Sequence, residues 1–195
     1  MIEPLFETPI YYNWVNTEVM NKSISRIIDK INFVKPQVEI GSFLVNSELY
    51  FNNVLKTYDI PEVQNEIEKH IREYCDILKF KFNAYDMVSW IVKMNKGDYL
   101  HYHTHTPTHM SGVYYYQASG KDAKIVFESP NPLTGISKVY NIVPSKWEHS
   151  AETGKIILFP SWLKHGVYTQ LGDDTRIVLS FNITFFDEYV SKIFD

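Results

Sequence analysis

Four of the chain's seven histidines fall between Gly97 and His109. His101, His103 and His105 alternate, so an extended strand sends all three imidazoles from the same face. Imidazole suits the intermediate transition metals, and such a strand can offer two nitrogens to one ion without folding back. The competing reading is a polar, solvated edge strand that carries histidines by chance, because a histidine-rich tract alone is only suggestive. A metal site needs a third donor, and His165 supplies one. It follows the apolar run Ile156-Ile157-Leu158-Phe159, which stops at Pro160, and a short turn presents it at the start of the next strand. Eleven residues later comes Arg176, whose planar fork suits a carboxylate. The order is His-x-His, a distant His, then Arg.

These residues need a scaffold that brings distant strands together. From about residue 80 the hydrophobic period is alternating. Strands are expected at Tyr85–Met94, Tyr99–His105, Gly112–Ala118, Lys124–Glu128, Ser137–Ile142, Ile156–Phe159, Gly166–Thr169 and Arg176–Phe186. Gly-, Pro-, Asn- and Asp-rich turns separate them, as at Asn95-Lys96-Gly97 and Ser119-Gly120-Lys121-Asp122. Before residue 80 the pattern is mainly helical. Asn16 or Thr17 caps a helix through about Ile31, and Pro61 opens a second whose stripe is Val63, Ile67, Ile71, Tyr74 and Leu78. Phe6–Trp14 reads as an edge strand, with Pro9 in it, that could pair across a homodimer. Residues 35–56 give no clear pattern. The expected fold is mainly β with α+β character, a double-stranded β-helix (jelly roll, cupin-like) with N-terminal helices on one sheet. It forms a single domain, with helical support over about 1–80 and the jelly-roll core over about 81–187.

The last strand admits two readings. Ile177, Leu179, Phe181, Ile183 and Phe185 share one face, and Arg176, Val178, Ser180, Asn182 and Thr184 share the other. The second face is either solvated or the wall of a polar pocket inside the roll, with Arg176 as an anion anchor.

Composition narrows the class. The 195 residues are 45% hydrophobic and 22% charged, ordinary for a globular domain large enough to bury a core. The net charge of −4 gives no basic field to attract nucleic acid, which is not an expected partner. The one cysteine, Cys75, rules out an internal disulfide, suits a reducing compartment, and falls on a helical stripe as a small buried residue. The start lacks a signal-peptide pattern, and no run is long enough to span a membrane. The expectation is a soluble protein of the cytoplasm.

Three blocks carry a family resemblance: Gly97-Asp98-Tyr99 followed by His103-Thr104-His105; Ser111-Gly112-Val113-Tyr114-Tyr115-Tyr116; and Leu158-Phe159-Pro160-Ser161-Trp162-Leu163-Lys164-His165-Gly166-Val167, leading to Arg176 and Ser180-Phe181-Asn182. In these the sequence resembles the 2-oxoglutarate/Fe(II)-dependent oxygenases, closest to a branch found in marine bacteria and their phages. The cytoplasm would be that of a bacterium, or of the host if the protein is phage-encoded. The resemblance implies Fe(II), 2-oxoglutarate and O2, and hydroxylation of a small molecule or peptide coupled to release of succinate and CO2. It implies His103 and His165 as iron ligands and Arg176 as the partner of the far carboxylate of 2-oxoglutarate. Tyr114, Tyr116, Ser180 and Asn182 become secondary cosubstrate contacts, and His101 and His109 fall outside the pattern. One position departs from it. Most of the superfamily has Asp or Glu two residues after the first histidine, where this chain has His105. Either His105 completes a three-histidine site, or a carboxylate such as Glu128 comes from elsewhere, or a position stays open; His105 is the preferred choice. The rival functions are a 2-oxoglutarate-independent, cupin-type three-histidine dioxygenase, which gives Arg176 no role, and a non-catalytic jelly-roll binding or structural protein.

Overall fold

The computed structural model describes residues 7–47, 53–131 and 144–186. In chain order its elements are β1 (Tyr11–Trp14), α1 (Thr17–Ile28), β2 (Phe33–Val34), β3 (Gly41–Ser42), β4 (Leu44–Asn46), α2 (Val54–Thr57), α3 (Pro61–Ile77), β5 (Ala84–Met94), β6 (Tyr99–His103), β7 (Met110–Gln117), β8 (Ser119–Glu128), β9 (Lys146–Glu152), β10 (Lys155–Pro160), β11 (His165–Val167) and β12 (Arg176–Phe186). The expected strand at Ser137–Ile142 lies outside the described residues, as does Phe6 at the start of the first expected strand.

Two antiparallel sheets face each other. The larger runs β1-β10-β7-β12-β5-β4-β2 and the smaller β3-β6-β11-β8-β9. α1 and α3 cover the outer face of the larger sheet, so the molecule has three layers. Each helix begins where its sequence signals it. The Asn16 side chain accepts from the Glu18 N–H and caps α1, and Pro61 sits in the first turn of α3. Met20, Ile24 and Ile27 of α1 and Val63, Ile67, Ile71 and Tyr74 of α3 bury against Tyr114, Leu158, Leu179, Phe181 and Ile183 of the larger sheet. A second cluster fills the space between the sheets, where Val92, Val113, Tyr115, Phe159 and Val178 meet Ile125, Phe127 and Val167.

β12 lies near the middle of the larger sheet, paired with β5 over its whole length and with β7 on its other side. Its odd-numbered residues pack under the helices and its even-numbered residues face the smaller sheet. Of the two readings of its polar face, the pocket wall is the one found. β6 stops at His103, two residues short of the expected end, and β9 forms the edge of the smaller sheet where no strand was expected. Ser119–Asp122, expected as a turn, belongs to an irregular start of β8 with register shifts against β9.

Candidate metal and cosubstrate site

β6 and β11 pair so that His103 stands opposite His165. His105 lies beyond the end of β6 and reaches the same point from a loop. Its N–H donates to the Ser161 carbonyl (2.9 Å), in the turn just before β11. Ring centroids are 4.4 Å apart for His103–His165, 4.8 Å for His103–His105 and 5.1 Å for His105–His165. One ring nitrogen from each lies within 4.8 Å of the others, the one such cluster of three or more potential ligands among the described residues.

The second nitrogens of two of these rings are spoken for. Nδ1 of His103 is 2.8 Å from the His101 carbonyl, and Nδ1 of His165 is 2.9 Å from the Leu163 carbonyl. A carbonyl only accepts, so both rings carry their proton on Nδ1 and keep the Nε2 lone pair free. A carbonyl that fixes the tautomer in this way is the usual support of a metal-binding histidine. Burial lowers the pKa of all three: His103 falls below its ordinary value, His105 drops to about 4, and His165 to about 3. Desolvation is the main cause, and repulsion from the neighbouring imidazoles adds to it at His105 and His165. At neutral pH the rings are uncharged, the form that binds metal.

The histidines open into a cavity of about 210 Å³ between the sheets. Its far side is walled by β12, with Arg176, Val178, Ser180 and Asn182. Arg176 is 2% exposed. Its Nη1 meets only the Met94 sulfur (3.2 Å), its guanidinium stands 5.1 Å from the Tyr115 ring centroid, and its Nε has no partner. Among the described residues no carboxylate pairs with it. A buried guanidinium without an anion is costly, so this side chain is built to receive one. The hydroxyl of Tyr115 beside it is also unpartnered, and burial raises that phenol's pKa while Arg176 opposes the rise.

Two expected cosubstrate contacts fall elsewhere. Tyr114 and Tyr116 point to the helix layer, where Tyr114 donates to Asn21 Oδ1 (2.5 Å), and neither lines the cavity. Three tyrosines in succession conceal the phase of β7, and the one that faces Arg176 is Tyr115, which sequence reasoning passed over. Glu128, the alternative carboxylate, is paired with Lys164 (2.7 Å) and stands outside the histidine cluster. His101 is exposed, and His109 accepts from the Phe185 N–H through Nδ1 (3.0 Å). The aromatic side chains of Trp147, Trp162, Tyr99 and Tyr102 do not line the cavity. Pro36, Val38, Ile40, Val88 and Trp90 do, the first three from the stretch whose sequence gave no pattern.

Comparison with known proteins agrees with this geometry. Residues 88–182, nearly half of the chain and all of the candidate site, match the family described as "Putative 2OG-Fe(II) oxygenase". No curated protein matches the sequence. Among solved structures, the fold is similar to a prolyl-4-hydroxylase of Pseudomonas putida (9% identity, 92% of this chain and 94% of that one, TM-score 0.61). It is similar to HygX of Streptomyces hygroscopicus, solved with nickel and 2-oxoglutarate (10% identity, 91% and 83%, TM-score 0.62). It is also similar to a prolyl hydroxylase of Trichoplax adhaerens in complex with a hypoxia inducible factor peptide (11% identity, 92% and 83%, TM-score 0.61). The matched segment holds every residue of the histidine cluster and the arginine across from it, on the double-stranded β-helix fold that the chain shares with these solved structures.

Proposed function

We propose that this protein is a 2OG-Fe(II) oxygenase that hydroxylates a C–H bond of a substrate that enters beside Trp90. His103, His105 and His165 would hold Fe(II), and Arg176 would hold the far carboxylate of 2-oxoglutarate. One observation carries the reading: three neutral imidazoles share a cavity with a buried guanidinium that has no anionic partner among the described residues. When bound, the iron and the cosubstrate supply the oxidising power, and in sum the C–H bond, 2-oxoglutarate and O2 become C–OH, succinate and CO2.

The protein's own part is positioning. The His101 and Leu163 carbonyls fix the rings of His103 and His165 with Nε2 free. The Arg176 fork meets a carboxylate with two parallel hydrogen bonds, and Ser180, on the same face of β12, adds a hydroxyl to that wall. Trp90, 5.7 Å from the His105 ring centroid, and the aliphatic residues around it keep water from the reacting centre. With His105 where a carboxylate is usual, the site is one charge more positive than a two-histidine, one-carboxylate triad. A 2-oxoglutarate-independent dioxygenase would leave Arg176 without an anion. The single buried Cys75 and a ferrous site both suit a reducing interior, and we place the protein in the cytoplasm. No helix among the described residues is long and apolar enough to cross a membrane.

The test is to add Fe(II) and then 2-oxoglutarate without oxygen. A visible metal-to-ligand charge-transfer band is expected, and Arg176→Lys should weaken the 2-oxoglutarate affinity that the band reports by at least ~10-fold, since a point charge replaces a fork. A mixture that stays colourless rejects the reading, and an unchanged affinity removes Arg176 from it.

A further inference from the structure

A line of four side chains runs from the His105 loop to the cavity wall. Thr108 Oγ1 is 2.6 Å from the His105 carbonyl oxygen and 2.9 Å from Ser161 Oγ. Ser161 Oγ is 2.8 Å from Ser111 Oγ, which is 2.8 Å from the Asn182 carboxamide. Ser111 and Ser161 are 1% and 0% exposed, so the line is closed to solvent along its middle. Each of its four contacts needs one proton, and three hydroxyls bring three. The His105 carbonyl only accepts. With the Asn182 oxygen toward Ser111, as it stands, that end only accepts too. Two oxygens would then face each other inside the core with no proton between them.

The oxygen and nitrogen of a carboxamide have nearly the same shape, and which is which follows from the network they join. Turning the group over supplies the missing proton. Every contact is then satisfied in one direction: Asn182 Nδ2 donates to Ser111, Ser111 to Ser161, Ser161 to Thr108, and Thr108 to the His105 carbonyl. We infer that Asn182 turns its nitrogen to Ser111 and its oxygen into the cavity, and so offers a hydrogen-bond acceptor to an O–H or N–H of the substrate.

The substrate half of this inference rests on the oxygenase reading, and the orientation half does not. In that reading the histidines, Arg176 and Ser180 are committed to metal and cosubstrate, and Ser111 to the line of hydroxyls. Among the described residues the cavity lining includes no Asp or Glu, and Val38, Ile40, Val88 and Trp90 supply its apolar wall. Asn182 is then the polar group left to read the substrate. It also leaves the set that would touch an anionic cosubstrate, because its oxygen repels a carboxylate. The substrate class that fits is an apolar group with one adjacent hydroxyl or amide N–H. A cationic amine would meet no carboxylate among the described residues of the lining.

Neutron diffraction from deuterated crystals of the full chain tests the orientation. Deuterium is expected on the Asn182 atom that faces Ser111, and an atom without deuterium there overturns the inference. The substrate half is read from the charge-transfer band of the Fe(II)–2-oxoglutarate complex, titrated with 1-hexanol and with 1-methoxypentane, which has the same number of heavy atoms but no donor. The alcohol should perturb the band with at least tenfold tighter binding, and Asn182→Ala should bring the two within twofold. Equal response to both in the unaltered protein overturns the acceptor role. If no band forms at all, the oxygenase reading has failed and the neutron result still decides the orientation.

Discussion

At the scale of single residues, the unusual member is His105. Its ring is placed by a loop pinned to the Ser161 carbonyl, and its burial keeps it neutral. Glu128 is held by Lys164 on the other side of β8. His105→Ala should therefore lower Fe(II) affinity sharply, by 10-fold or more, whereas Glu128→Ala should leave it within twofold, as measured by anaerobic metal titration. The reverse pattern would return the third position to a carboxylate. The two ends of this constellation were legible because histidine and arginine are rare enough for their order to carry information. The tyrosines were not. Tyr114, Tyr115 and Tyr116 look alike in a strand buried on both faces, so only the sheet register tells which one meets Arg176.

At the scale of elements, β12 shows how alternation serves two neighbours. One face seals the helix layer and the other walls the cavity, and the period of two made both faces visible in the sequence. β9 was invisible for the opposite reason. Lys146-Trp147-Glu148-His149-Ser150-Ala151-Glu152 forms an outer strand of the smaller sheet and carries too few apolar residues to alternate. The stretch around Pro36–Ile40 gave no pattern either, because it is irregular backbone whose apolar residues close a cavity rather than pack a sheet. Gly112 on β7 is a further demand of close packing. A Cβ there would stand 2.3 Å from Phe181 ring carbons and 2.7 Å from a Leu158 methyl. Gly112→Ala should destabilise the protein by about 1–3 kcal/mol, read as a lower midpoint in urea unfolding. An unchanged midpoint would mean that Phe181 moves aside at no cost.

At the scale of the whole molecule, the fold withdraws imidazoles from water both beneath the helices and between the sheets. His70 lies between α3 and β1, with its Nδ1 2.7 Å from the Tyr11 hydroxyl. His103, His105 and His165 line the cavity, and His149 sits near the open edge between β1 and β9. Desolvation depresses the pKa of all five. The unfolded chain therefore takes up protons below about pH 6.5 that the folded chain refuses, and stability present above that pH is lost as pH falls toward the folded values. The metal-free chain should lose on the order of several kcal/mol between pH 6.5 and pH 4, at about 1.4 kcal/mol for each pKa unit of depression. His70→Gln should flatten part of that slope in chemical denaturation. A flat profile in the unaltered chain would show that these rings are open to water.

The cavity's donors are divided between the two sheets. His103 and His165 belong to the smaller one and Arg176 to the larger. In the proposed complex, a metal chelated by the cosubstrate ties one sheet to the other through a single chain of bonds. The contents of the cavity then act as a clasp. The sheets cannot swing apart while it is fastened, and it cannot be lost without their parting or its own bonds breaking. In decarboxylation the bond lost would be the one inside the keto-acid group, at the iron end, and the succinate left behind would hold the metal without that chelate. Turnover would thus loosen the clasp at its iron end, and the departure of succinate would undo it.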